Sequence, residues 1–208
     1  MSAYKSEYPI IFSGADVRAI IAGRKTQTRR LVKRPRSMFM GDLSRAVPDL
    51  LWGLTPGLHV PCADGTTQRL RNPWGWPAPD AIDLWVRESW RMETRLHDDV
   101  APSDLKADET IVHYDADVDW SDNKTIGRTR SPLHMPRWAS RLTLRIVKVR
   151  VEKLGCITED DAKAEGIEAR DFTKRAEFAV LWDEIYPDSG CWTSDPWVWV
   201  VEFRRVET

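Results

Sequence analysis

The sequence predicts an α+β fold: a β-barrel with three short flanking helices and two long insertions. Three observations lead there. "RLTLRIVKVRVEKL" (141–154) alternates over a length that lets one strand bend and serve two sheets of a barrel. A second strong strand, "PWVWVVEFRRV" (196–206), closes the pattern. The remaining strands are separated by segments carrying helix start and stop signals, with no internal repeat and no clear linker. The chain therefore reads as one domain, 1–208, with insertions at about 36–80 and 92–130.

Taken in order, "PIIF" (9–12) is a short apolar strand. Ser13 caps the next helix, Val17, Ile20 and Ile21 give it an apolar stripe, and Gly23 stops it as a left-handed cap. "KTQTRRLV" (25–32) is a strand with Thr26, Thr28 and Arg30 on one face and Gln27, Arg29 and Leu31 on the other. From Arg34 to Pro79 the chain is rich in Pro, Gly and Trp and reads as mostly loop. "DLWVRESW" (83–90) is a strand, and the acidic excursion after it contains one more, "ETIVHY" (109–114). In the long strand, Leu142, Leu144, Ile146, Lys148 and Arg150 fall on one face, and Thr143, Arg145, Val147, Val149 and Val151 on the other. "ITEDDAKAEG" (157–166) is a short helix with Thr158 as cap, Asp161 completing a capping box and Gly166 as stop. Phe172 to Ile185 is a helix with Phe178, Leu181, Trp182 and Ile185 along one stripe.

Charge bounds the partners. Lys+Arg is 31 against 32 Asp+Glu, which argues against a protein held on long duplex nucleic acid by charge alone. The distribution is uneven: Arg18 to Arg36 holds eight basic residues and no acid, whereas Glu93 to Asp122 holds ten acids. Such blocks are usually solvated faces, but a basic block that meets a ligand favours an anion or a nucleotide. The three cysteines, Cys62, Cys156 and Cys191, form no CxxC and suit a reducing cytosol. No targeting segment or membrane-length apolar run is present, so a cytoplasmic location is expected.

Several motifs fail. "DADVD" (115–119) starts like a calcium loop, but Trp120 stands where glycine is needed and Ile126 where glutamate is needed. The zinc deaminase signature, GxSxG, HExxH and GxxxxGK are absent, and the four histidines form no pair at ligand spacing, so neither metal nor cofactor is expected. Of eleven tryptophans, Trp74 and Trp76 lie among prolines, outside any core periodicity, where an aromatic face can stack on a base.

One stretch carries candidate chemistry: "GRKTQTRR" (23–30). A threonine hydroxyl is a nucleophile only with a base in reach, and lysine serves if its pKa falls from about 10.4 to about 7–8. That shift costs about 4 kcal/mol, and burial beside Arg24, Arg29 and Arg30 works in its favour. On a regular strand Lys25 and Thr28 point to opposite faces. They converge only if Lys25 lies in the turn after Gly23, before the strand begins.

"AGRKTQTRR" resembles the signature of the ASCH domain, a PUA-like β-barrel, and "LGCITEDDAKAEGI" (154–167) is similar to that family's short helix ending in an acidic residue. "DLWVRESW" and "WVWVVEF" match its remaining strands, while "SPLHMPRWASR" (131–141) and "NPWGWPAPD" look like a longer, phage-associated branch. The likeness covers roughly 9–33, 83–90 and 141–206. One bacterial subgroup removes the acyl group from N4-acetylcytidine. By position, the resemblance implies Lys25, Thr28 and Glu165 as the catalytic set and Arg30 as the arginine that follows it. Arg29 departs from that subgroup, which has an apolar residue there, and this chain is about twice as long as its compact members.

The resemblance thus implies an amidohydrolase acting on N4-acylated cytosine nucleosides, with Thr28 attacking, Lys25 taking the proton, and Glu165 in a shared-proton network rather than a static ion pair. The partner is then a small modified nucleoside, with RNA as a further candidate and no membrane. Trp74, Trp76, His134, Arg137 and Trp138 are expected to approach the base or acyl group. The alternative is a non-catalytic PUA-like module that binds RNA or a modified base.

Overall fold

A computed structural model describes residues 6–32, 47–48, 57–61, 67–71, 82–118, 125–168, 172–188 and 190–207. The elements are β1 (Ser6–Ile11), α1 (Gly14–Ile21), β2 (Gln27–Leu31), β3 (Val47–Pro48), β4 (Gly57–Pro61), β5 (Thr67–Arg71), β6 (Ile82–Arg87), β7 (Trp90–Met92), β8 (Val112–Tyr114), β9 (Thr143–Lys153), α2 (Glu159–Ala164), α3 (Lys174–Ile185) and β10 (Trp197–Arg205). The fold is mixed α+β. Among the described residues no helix is long and apolar enough to cross a membrane.

The main sheet has five strands in the order β1-β6-β9-β10-β2, with β1 and β2 at its edges. It is open, so among the described residues the expected closed barrel is not formed. Alternation in a sequence identifies strands but carries no information on whether the two outermost ones pair with each other. β3, β4 and β5 form a second, antiparallel sheet, and β7 and β8 a third.

The chain divides into two compact units. The first comprises Met1–Tyr4, Arg24–Ile82 and Ile146–Phe203, and the second Lys5–Gly23, Asp83–Arg145 and Arg204–Thr208. In the first, β10 pairs antiparallel with β2, setting Val201 opposite Thr28 and Val200 opposite Arg29. Its core gathers Leu154, Ile157, Ala162, Phe178, Trp182, Val198 and Val200, with Leu31 packed against them. In the second, β6 pairs antiparallel with β9, and Trp90, Met92, Met135 and Ala139 make a separate cluster.

Three sequence expectations change, and one gains detail. The segment 34–79, read as mostly loop, also holds three short strands, β3, β4 and β5. The Asp64-Gly65 pair falls between β4 and β5 in sequence, a hairpin signal masked by the surrounding prolines. "DLWVRESW" is two strands rather than one. Glu88, 1% exposed, leaves the ladder because Arg141 grips both its carboxylate oxygens at 3.0 Å, and the Ser89 carbonyl accepts from the Asp115 N–H. In β9 the strict alternation breaks. Leu144 and Ile146 are buried, Val147 and Lys148 are both exposed, and Val149 is buried again, so the inward face changes parity within one strand. Finally α3 begins at Lys174, because the Thr173 hydroxyl caps it through the Ala176 N–H. Of its expected stripe only Phe178 and Trp182 are buried, whereas Leu181 and Ile185 are exposed.

Candidate active site

Within the first unit, two segments 140 residues apart meet at Lys25 and Glu165. Gly23 adopts a φ of 71°, a left-handed turn that side chains resist, and the chain runs from it into Lys25 before β2 begins. Lys25 and Glu165 form an isolated antiparallel bridge. The Thr26 N–H donates to the Ala164 carbonyl and its own carbonyl accepts from the Phe203 N–H, each at 2.8 Å. The backbone around Lys25 is therefore tied to α2 and to β10.

α2 presents the partner. Thr158 and Asp161 close a full capping box at its start, and Gly166, with φ 88°, turns the chain away at its end, leaving Glu165 as the C-cap residue. Asp161 and Glu165 are four residues apart and share one helix face. β2 turns Gln27 and Arg29 toward that face. Gln27 Nε2 donates to Asp161 Oδ1 at 3.0 Å, and Arg29 Nη1 to Glu165 Oε1 at 3.1 Å.

The Lys25 ammonium donates to Glu165 Oε2 at 3.0 Å and to the Glu165 carbonyl at 2.7 Å. Both residues are only 5% exposed. Each carboxylate oxygen of Glu165 thus accepts from a different cation. Arg29 reaches further. Its Nη2 donates to Glu152 Oε1 at 2.6 Å and lies 3.4 Å from Asp161 Oδ2. Its Nε is buried without a hydrogen-bond partner, and Cζ sits 6.0 Å from the Phe178 ring centre. Arg150 binds Asp161 Oδ1 and Glu152 Oε2, each at 2.9 Å, and also pairs with Glu202. Three cations and four carboxylates therefore form one connected network, in which Glu165 and Arg29 each have more than one partner of opposite charge.

Asp161 titrates unusually within this network. Burial works against its charged form. It is outweighed by the Gln27 and Thr158 hydrogen bonds and the Arg29 charge, so its pKa is lowered from 3.8 to about 2. A depressed carboxylate stabilises the fold above its unfolded pKa, and that contribution is lost as pH falls from about 4 toward 2. Asp161→Asn is therefore expected to flatten the acid-unfolding curve between pH 4 and 2, followed by circular dichroism. A curve that superimposes on the parent's would contradict this.

Thr28 is 4% exposed. Because Gln27 and Arg29 face α2, strand alternation turns Thr28 to the opposite face of β2, beside Val201. The Lys25 amine donates to Glu165 and not to the Thr28 hydroxyl. Lys25 does lie ahead of the strand, yet its amine is turned to Glu165. The structure brings together Lys25 and Glu165 but not Lys25 and Thr28, and the Lys25–Glu165 contact is a close ion pair.

Arg30 is half-buried on the Thr28 face, opposite Trp199. Trp74 and Trp76 lie outside the described residues. His134, Arg137 and Trp138 belong to the second unit and have local roles there. His134 ends an exposed 3-10 turn, Arg137 pairs with Glu7 at 2.7 Å, and Trp138 packs on the Trp90 cluster. Gln27, Arg29, Arg150, Glu152 and Asp161 escaped the sequence reading as site residues. The signal was available: Gln27 and Arg29 share a strand face, and Asp161 precedes Glu165 by one helical turn.

Among the described residues no group of three His, Cys, Asp or Glu side chains is arranged to hold a metal. Comparison with family models, curated proteins and solved structures finds no match for this chain.

Proposed function

We propose that this chain is a cytoplasmic, PUA-like protein of the ASCH type that hydrolyses the amide of N4-acylated cytosine nucleosides, releasing cytidine and a carboxylate. The observation that carries the reading is the burial of Lys25 against Glu165. Desolvated charge pairs add little stability and recur where proton chemistry is done, and here the pair stands three residues from Thr28, itself only 4% exposed.

The steps follow from those groups. Thr28 Oγ1 attacks the acyl carbonyl while Lys25 takes the hydroxyl proton. The C–N4 bond breaks, N4 receives a proton from the Lys25–Glu165 pair, and cytidine leaves. Water then cleaves the threonine ester, giving the carboxylate and restoring the hydroxyl. For this to happen Lys25 Nζ must leave Glu165 and reach around the start of β2. That displacement is a requirement of the reading, made from a position ahead of the strand.

A second reading rests on a specific observation, the Thr28 hydroxyl facing away from Lys25. In a non-catalytic module that binds RNA or a modified base, the Lys25–Glu165 pair is a structural clamp and Thr28 only packs. The deciding experiment follows N4-acetylcytidine by ultraviolet absorbance. The hydrolase reading expects turnover to cytidine by the parent and none by Thr28→Val, a near-isosteric change. An inert parent that binds RNA with a steep salt dependence would establish the module instead.

A further inference from the structure

Glu165 is held twice, and the two holds differ in kind. Lys25 binds Oε2 through a flexible stem, whereas Arg29 binds Oε1 with a planar fork anchored at its other end by Glu152 and Asp161. The Arg29 side chain is fully enclosed and Glu165 nearly so. If Lys25 were the sole cation here, any excursion of its amine would leave a bare carboxylate in a desolvated site. With Arg29 in place it does not.

We propose that Arg29 is a positioning residue that keeps Glu165 fixed and compensated, so that the Lys25 amine can leave the pair and return. The inference rests on the hydrolase reading for its purpose, but its physical content, the freedom of Lys25, is measurable without turnover. Gln27 and Arg150 steady the arrangement by holding Asp161, the second anchor of Arg29.

The test is a brief pulse of acetic anhydride on the intact protein. Acetylation of Lys25 is read by mass spectrometry relative to the other lysines, in the parent, Arg29→Gln, Arg29→Met and Arg29→Lys. Thermal unfolding identifies which variants are folded, and Arg29→Gln keeps a hydrogen-bond donor should Arg29→Met not fold. Labelling of Lys25 is expected to slow by about tenfold when the charge at position 29 is lost, and to stay near the parent's rate in Arg29→Lys. Where the parent turns over N4-acetylcytidine, Arg29→Gln should lower kcat with little change in KM, and Arg29→Lys should recover much of it. Equal or faster labelling in Arg29→Gln overturns the proposal, as does slow labelling in Arg29→Lys. A parent without turnover removes the hydrolase reading alone, and the labelling pattern still decides the role of Arg29.

Discussion

On the proposed hydrolase reading, Lys25→Met is expected to lower kcat for N4-acetylcytidine by about 10²–10⁴-fold, the usual contribution of a general base, with KM changed only a few-fold. The fold should tolerate this change comparatively well. Glu165 keeps Arg29 at 3.1 Å when the amine is gone, so no carboxylate is left bare. Lys25→Arg is the sharper variant. It retains a cation for Glu165 but cannot act as a base at any ordinary pH. The two variants should be equally inactive although only one retains the ion pair. Steady-state kinetics on purified protein checks this, and a Lys25→Arg variant with parental kcat would show that Lys25 is a counter-ion and no more.

The largest effect on stability belongs to Glu165. Glu165→Leu removes the one carboxylate shared by Lys25 and Arg29, placing two buried cations against an apolar side chain. Removing one partner of such a pair costs about 3–5 kcal/mol. Lys25→Met should cost visibly less, because Arg29 still neutralises the remaining partner. Urea denaturation of both single variants and the double variant closes a cycle whose coupling term measures the pair directly. Two single variants of equal cost, or a Glu165→Leu variant within about 1 kcal/mol of the parent, would contradict the division of Glu165 between two cations.

Much of this arrangement was legible before any coordinates. The capping box at Thr158 and Asp161, the glycine stops at Gly23 and Gly166, and the meeting of "GRKT" with the end of α2 all rest on local rules or on the resemblance. What sequence could not supply was the direction of a long side chain. Lys25 lies ahead of β2, where strand alternation does not fix its direction, and the structure turns its amine to Glu165. The same limit hid the role of Arg29. Its strand face was evident, but the carboxylates waiting there come from α2 and β9. Parity also failed in β9, where two consecutive exposed residues shift the buried face with no glycine or proline to announce it. The split of "DLWVRESW" was invisible for a related reason, since Glu88 leaves the ladder for an arginine 53 residues away.

The bridge between Lys25 and Glu165 also bears on how the protein is made. Synthesis runs from the N-terminus, so Lys25 emerges from the ribosome long before the carboxylate 140 residues downstream that neutralises it. In the meantime the nascent edge strand carries bare positive charge, which discourages premature pairing with other growing chains. The closure that assembles the site is one of the most distant contacts in the chain. Non-local contacts of this kind slow folding, because the loop between them must close before the contact rewards it.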